Sequence, residues 1–174
     1  TPLYSSAASD VYKRQRYGQH LGLSGTHYLQ SLKVDETSWL LLGMPQQQRA
    51  DWLMLAEKLG RPIRAMTPRW LWLYNRIAAS QAIPGMLLSL HDTGGNRYSG
   101  TLAVWGQILT LLRQWQEPLS VEAWLEERIH PSLAFLHREG RSCQELLVWG
   151  APDWPPMAIP VRLLSWPIPT VEVG

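Results

Sequence analysis

The residues of this chain that could do chemistry are few and scattered. The densest run is His91-Asp92-Thr93-Gly94-Gly95-Asn96, an imidazole and a carboxylate beside two glycines. Gly, Asn and Asp crowded together are first of all a turn signal, because they accept left-handed backbone that other residues avoid. Further along, Glu126 and His130 are spaced i, i+4, and His137 follows two turns later. On a helix Glu126 and His130 would share one face. A metal site there would need a further ligand from elsewhere, so the reading we favour is an exposed, solvated face. Cys143 stands beside Ser142 at the start of an apolar run and reads as a small core residue, not a nucleophile. It is the sole cysteine, which excludes an intramolecular disulfide and any multi-cysteine metal site. No GxSxG, Walker loop or HExxH is present, so the common sequence signatures of hydrolases, nucleotide-binding loops and zinc proteases are missing.

The elements that must position these residues follow from periodicity. Thr26–Val34 and Ser38–Gly43 predict strands, with Asp35-Glu36-Thr37 as the turn between them. Gln46–Leu59 predicts a helix with Trp52, Leu55, Ala56 and Leu59 at helical spacing and Gly60 as its stop. Pro62–Met66 reads as a short strand. Thr67-Pro68 reads as a helix start, with the helix running to Ala79. Ser80–Gly85 is the best linker. Beyond it, Met86–Leu90, Arg97–Trp105 and Ile108–Trp115 predict three strands joined by short turns, an antiparallel meander. Ser120 caps a long helix reaching Gly140, which Pro131 should kink by removing one backbone donor. Cys143–Trp149 predicts a buried strand ending at Gly150, and Val161–Trp166 a last one.

Composition narrows the function classes. The formal charge is +2 over 174 residues, with no basic cluster, so nothing favours a nucleic-acid partner. No stretch reaches the roughly 20 apolar residues of a bilayer span. Ten Trp stand against one Phe. They mostly sit in apolar segments, which suits core packing with one acceptor per indole N–H better than a stacking surface for sugars or bases. "SSAASDVYKRQ", Ser5–Gln15, has no apolar period and its basic residues come last, unlike a secretion signal. It resembles the in-frame translation of a transposase adapter used for sequencing libraries. Residues 1–15 are therefore set aside as a non-native leader. Without Asp10, Lys13 and Arg14 the formal charge becomes +1.

The element order is β-β-α-β-α, a linker, then β-β-β-α-β and one more strand. A meander followed by a helix and a parallel strand is the opening of a ribonuclease-H-like layer. Two such lobes in tandem make the actin-like architecture. "WLLLGMPQQQRADWLMLAEKLGRPIRAMTPRWLWLYNRI" resembles the end of the first lobe in the PilM family of pilus-assembly proteins. That family is itself similar to the cytoplasmic part of the L component of type II secretion. "EAWLEERIHPSLAFLHREGRSCQELLVWGAP" resembles the helix and Gly-ended strand late in the second lobe. The resemblance implies an α/β fold with a mixed sheet. Residues 16–80 would be the C-terminal part of a first actin-like lobe, and residues 84–174 a second, ribonuclease-H-like lobe. Loss of the rest of the first lobe should leave an apolar face exposed and the chain poorly soluble.

The resemblance also implies a place for a nucleotide. Actin-like folds hold phosphates in Asp- and Gly-bearing hairpins, where glycine turns the backbone N–H groups toward the phosphates and the acid orients a metal or its waters. Asp92, Gly94 and Gly95 occupy that hairpin here, and Gly150 the adenine-side strand end. Asn96-Arg97 replaces the Gly-Thr end of the pattern, and Ala151 replaces a second Gly after Gly150. The leading expectation is a non-catalytic scaffold, without cofactor, on the cytoplasmic side of a pilus or secretion apparatus. It would bind another assembly protein through an extended segment laid on a sheet edge. ATP and Mg would enter only if the degenerate loops still grip phosphate, which would make the chain a fragment of an actin-like ATPase or sugar kinase. Asp92-Thr93-Gly94 also matches the active-site triplet of aspartic proteases, which need two such Asp sharing a proton and so a dimer. Gly95 and the long helix fit that family poorly. His91-Asp92 resembles the paired residues of metal phosphohydrolases, but those sit on helices and this pair ends a strand.

Overall fold

The computed structural model describes Arg16, Gln19 and residues 27–63, 66–78 and 83–165. The chain divides into two compact units, Thr1–Met66 and Thr67–Gly174. The expected linker at Ser80–Gly85 thus falls within the sequence span of the second.

In the first unit, β1 (His27–Lys33) and β2 (Trp39–Pro45) pair antiparallel from His27 opposite Pro45 to Lys33 opposite Trp39. Asp35 makes the turn. Its Oδ1 accepts from the backbone N–H of Thr37 at 2.8 Å and of Ser38 at 2.7 Å, so the side chain replaces a backbone acceptor. These bonds, that from Thr37 foremost, hold the carboxyl below its usual range. Helix α1 (Gln46–Lys58) follows at once. It ends as Gly60 predicts: with φ 62°, Gly60 donates to Glu57 O and Arg61 to Ala56 O, each at 3.0 Å, which satisfies two carbonyls of the last turn. Of the four apolar residues at helical spacing, only Ala56 is buried; Trp52 and Leu59 are 50% and 64% exposed. The expected strand at Pro62–Met66 does not form at Pro62, Ile63 or Met66; its remaining residues lie outside the described ones.

The second unit is an α/β layer. Helix α2 (Arg69–Ala78) precedes β3 (Gly85–Gly94), β4 (Arg97–Trp105) and β5 (Leu109–Leu119). A helical segment comes next: α3 (Val121–Trp124), a π-helical turn (Leu125–Ile129) and α4 (His130–Arg138). Strands β6 (Glu145–Trp149) and β7 (Val161–Leu164) complete it. The five-stranded sheet has the order β5-β4-β3-β6-β7. The meander is antiparallel, while β3 pairs parallel with β6 and β6 with β7, so β4 alone runs against the rest.

Alternation decides the two faces. Met86, Leu88 and Leu90 of β3, Leu102 and Val104 of β4, and Leu146 and Val148 of β6 pack under Trp124, Ile129 and Leu136 of the long helical segment. Leu87 and Ala103, one register position away, are buried too. Helix α2 contacts β3 and β4 and buries Trp70, Leu73 and Ile77. Its Tyr74 meets Trp105 edge-on at 5.9 Å, and the Trp105 indole N–H donates to Ile83 O. A strand buried on both faces reads as a near-continuous apolar run, and Met86–Leu90 is one, broken only by the buried Ser89.

Pro131, expected to kink the helix, is accommodated by a specific device. It has no N–H for the carbonyl of residue 127. The turn before it widens, and the His130 N–H reaches back to Leu125 O, five residues away. A π turn of this kind absorbs the mismatch without breaking the helix. Ser132 Oγ then donates to Arg128 O at 2.6 Å, so that carbonyl is not left bare.

Candidate functional site

The Asp92 hairpin is built by its own residues. Gly94, Gly95 and Asn96 have φ of 98°, 64° and 58°. Gly95-Asn96 is the two-residue loop, and positive φ at both is what a twisted hairpin's mirror-image turn requires. Asp92 Oδ1 accepts from the Gly94 N–H at 2.7 Å, and Thr93 Oγ1 donates to Arg97 O at 2.9 Å. Arg97 in turn donates Nε and Nη2 to Pro118 O at 3.1 and 2.7 Å, which ties the hairpin to the end of β5. The polar groups that could grip a ligand are thus partly engaged in shaping the turn. His91, Asp92 and Thr93 are exposed.

Gly150 ends β6 with φ 94°, and a Cβ there would lie 2.3 Å from Leu90 O. Only glycine lets the β6 exit pass so close to the β3 backbone. Since β3 and β6 are parallel, this contact sets Gly150 at the same end of the sheet as the Asp92 hairpin. The structure therefore brings Asp92, Gly94, Gly95 and Gly150 to one sheet end. Ala151 follows directly, its side chain half-buried against the core.

The other candidates do not assemble. Among the described residues no group of three or more His, Cys, Asp or Glu could hold a metal ion. Glu126, His130 and His137 are exposed, as a solvated face would be. Cys143 is half-buried and donates its thiol to Glu145 O at 3.2 Å. Burial pushes that thiol up to about 11, so it is no nucleophile at neutral pH. Glu122 at the helix start is held below its usual range by its own backbone N–H and by Ser120, a capping effect. A shallow, open cleft of about 550 Å³ is lined by Trp154–Val161; within it the Trp154 indole N–H donates to Met157 Sδ at 3.4 Å.

Sequence reasoning missed a seam between β5 and the helical segment. Arg128, in the π turn, pairs with Glu117 at 3.1 Å and lies 5.7 Å from the Trp115 ring centre. Trp115 meets Trp124 edge-on at 5.4 Å, and Trp124 donates to Tyr98 O at 2.7 Å. Arg113 donates to Ser132 Oγ at 3.1 Å and stacks 5.3 Å from the Phe135 ring. The available signal was the odd-numbered set 113, 115 and 117, which a strand puts on one face. Among the described residues no helix is long and apolar enough to cross a membrane.

Comparison with known proteins returned no matching family model, no matching curated protein and no matching solved structure.

Proposed function

We propose that the second unit is a ribonuclease-H-like lobe of the actin type. In this reading the chain works as a non-catalytic scaffold of a bacterial pilus or secretion apparatus, on its cytoplasmic side, by binding another assembly protein. The observation that carries the fold half is the strand order β5-β4-β3-β6-β7 with β4 alone reversed. An up-down-up meander, a helical crossing and a parallel strand beside the first is the layout expected of such a lobe. The scaffold half is supported by the hairpin, where Asp92 is engaged by the Gly94 N–H and Asn96 stands where the phosphate pattern wants glycine. Both outer strands of the sheet, β5 and β7, have one neighbour each among the described residues, and an extended partner segment can take up the backbone groups of such an edge.

A second reading, a fragment of an actin-like ATPase or sugar kinase, is favoured by one observation. The Asp92 hairpin and Gly150 share the end of the sheet where parallel strands finish, the place where open α/β sheets take ligands. Calorimetric titration of the full chain with Mg-ATP separates the two. The scaffold reading expects no saturable heat. Tight binding that Asp92→Ala abolishes would overturn it and install the ATPase reading.

A further inference from the structure

We propose that β5 is an interface between two copies of this chain, paired strand to strand, antiparallel, about a two-fold axis at Trp115. The inference goes beyond the scaffold reading and does not depend on it. Strand β5 ends the sheet and, among the described residues, pairs with β4 alone. An edge strand turns alternate N–H and C=O groups outward, and such edges are normally short or blunted. The opposite edge follows that rule: β7 has 4 residues and follows directly on Pro160. Strand β5 has 11.

Its sequence is self-complementary. "LLRQWQEPL", Leu111–Leu119, reads outward from Trp115 as Gln114 and Gln116, then Arg113 and Glu117, and at its ends Leu111 and Leu119. Across a two-fold axis, if residue i faces j then j faces i. Antiparallel pairing centred on Trp115 therefore sets Trp115 against its own copy and each Arg113 against the other copy's Glu117. Residues directly opposite point to one face, and opposite charges there are favourable. Moving the centre by one residue separates the charges. Arg113 is already braced by Ser132 and the Phe135 ring, and Glu117, held at 3.1 Å by Arg128 of its own chain, still leaves 68% of its side chain exposed to a second cation. Trp and Arg are the residue types that most often dominate interfaces. Between Trp115 and Leu119 the register against β4 shifts, a stretch that holds Glu117 and also Pro118, which has no N–H to give, so the ladder does not extend beyond the Arg113–Glu117 pairs.

The test is sedimentation equilibrium of the full chain, wild type and charge-reversed. Wild type should form a concentration-dependent dimer. Arg113→Glu and Glu117→Arg should each weaken it by at least about tenfold, because like charges then meet at both symmetric positions. An equimolar mixture of the two variants should dimerise again, since every crossing pair is then opposite in charge. A fold damaged by either substitution would not recover on mixing. A wild type that stays monomeric at all concentrations overturns the proposal. So does a dimer indifferent to both reversals, or a mixture that fails to recover while each variant is folded. Should a variant fail to fold, hydrogen exchange of wild type decides. Protection of residues 110–117 that rises with concentration supports the interface, and protection independent of concentration overturns it.

Discussion

At the scale of single residues, two glycines with left-handed backbone do different work. Gly95 has φ 64° and open space where a Cβ would go. Gly150 has φ 94° and the Leu90 carbonyl in that space. Gly95→Ala therefore meets only the backbone penalty of left-handed geometry, about 1 kcal/mol. Gly150→Ala meets that penalty and a contact with main chain that cannot swing aside, and should cost roughly 3 kcal/mol or more. Urea unfolding of the two variants checks the order. Equal losses would mean that the β6 exit can move off β3, and the rigid placement of Gly150 beside the hairpin would be lost with it. Composition alone could mark both residues as turn glycines. It could not tell a loop tip from a close approach, because the neighbour of Gly150 lies on a strand some sixty residues earlier.

At the scale of elements, the meander was legible because its pattern is local. Turn residues at Asp92–Asn96 and alternation in Arg97–Trp105 need no knowledge of the rest of the chain. The π turn was not legible in the same way. Pro131 announces a defect, but whether the helix bends, breaks or widens depends on Ser132 reaching Arg128 O and on β5 lying beneath. Helix α1 was legible as a helix, but what its apolar stripe meets was not. Trp52, Leu55 and Leu59 have core-like spacing, yet spacing says which residues share a face and not what meets that face. The helical segment is instead pinned by Trp124, fully buried, with its indole N–H on Tyr98 O at 2.7 Å. Trp124→Phe keeps most of the ring but leaves that carbonyl without its donor and a small void beside Trp115. The expected loss is about 2–3 kcal/mol, combining the orphaned acceptor and the missing volume. Thermal unfolding measures it, and a loss below about 1 kcal/mol would show that water or a shifted neighbour replaces the bond.

At the scale of the whole molecule, the two units differ in what holds them. The second buries both faces of the central strands β3, β4 and β6 of a five-stranded sheet. In the first, Ala56 is the only buried hydrophobic among the described residues, and its sheet has two strands. A lone hairpin is marginal in water, since it cannot bury enough apolar surface to offset the ordering of its backbone. Local contacts help a little: Arg49 of α1 sits 4.7 Å from the Tyr28 ring centre on β1, a contact of about 0.5–1 kcal/mol at an exposed site. That is too little to make a cooperative unit. Backbone amides of β1, β2 and α1 should therefore exchange with solvent through local opening, while those of β3, β4 and β6 exchange only with global unfolding. Hydrogen exchange read by mass spectrometry checks this, and the expected gap is at least about a hundredfold in protection, the ratio that corresponds to some 2.7 kcal/mol. Equal protection in both units would mean that the exposed Trp52, Leu55 and Leu59 are covered in solution. In that case Trp52→Gln with Leu55→Gln should lower the protection of α1 together with that of β1 and β2. If α1 instead stays open, the same two substitutions should raise solubility and leave the unfolding of the five-stranded unit unchanged, because an apolar face that meets only water adds to aggregation and not to stability.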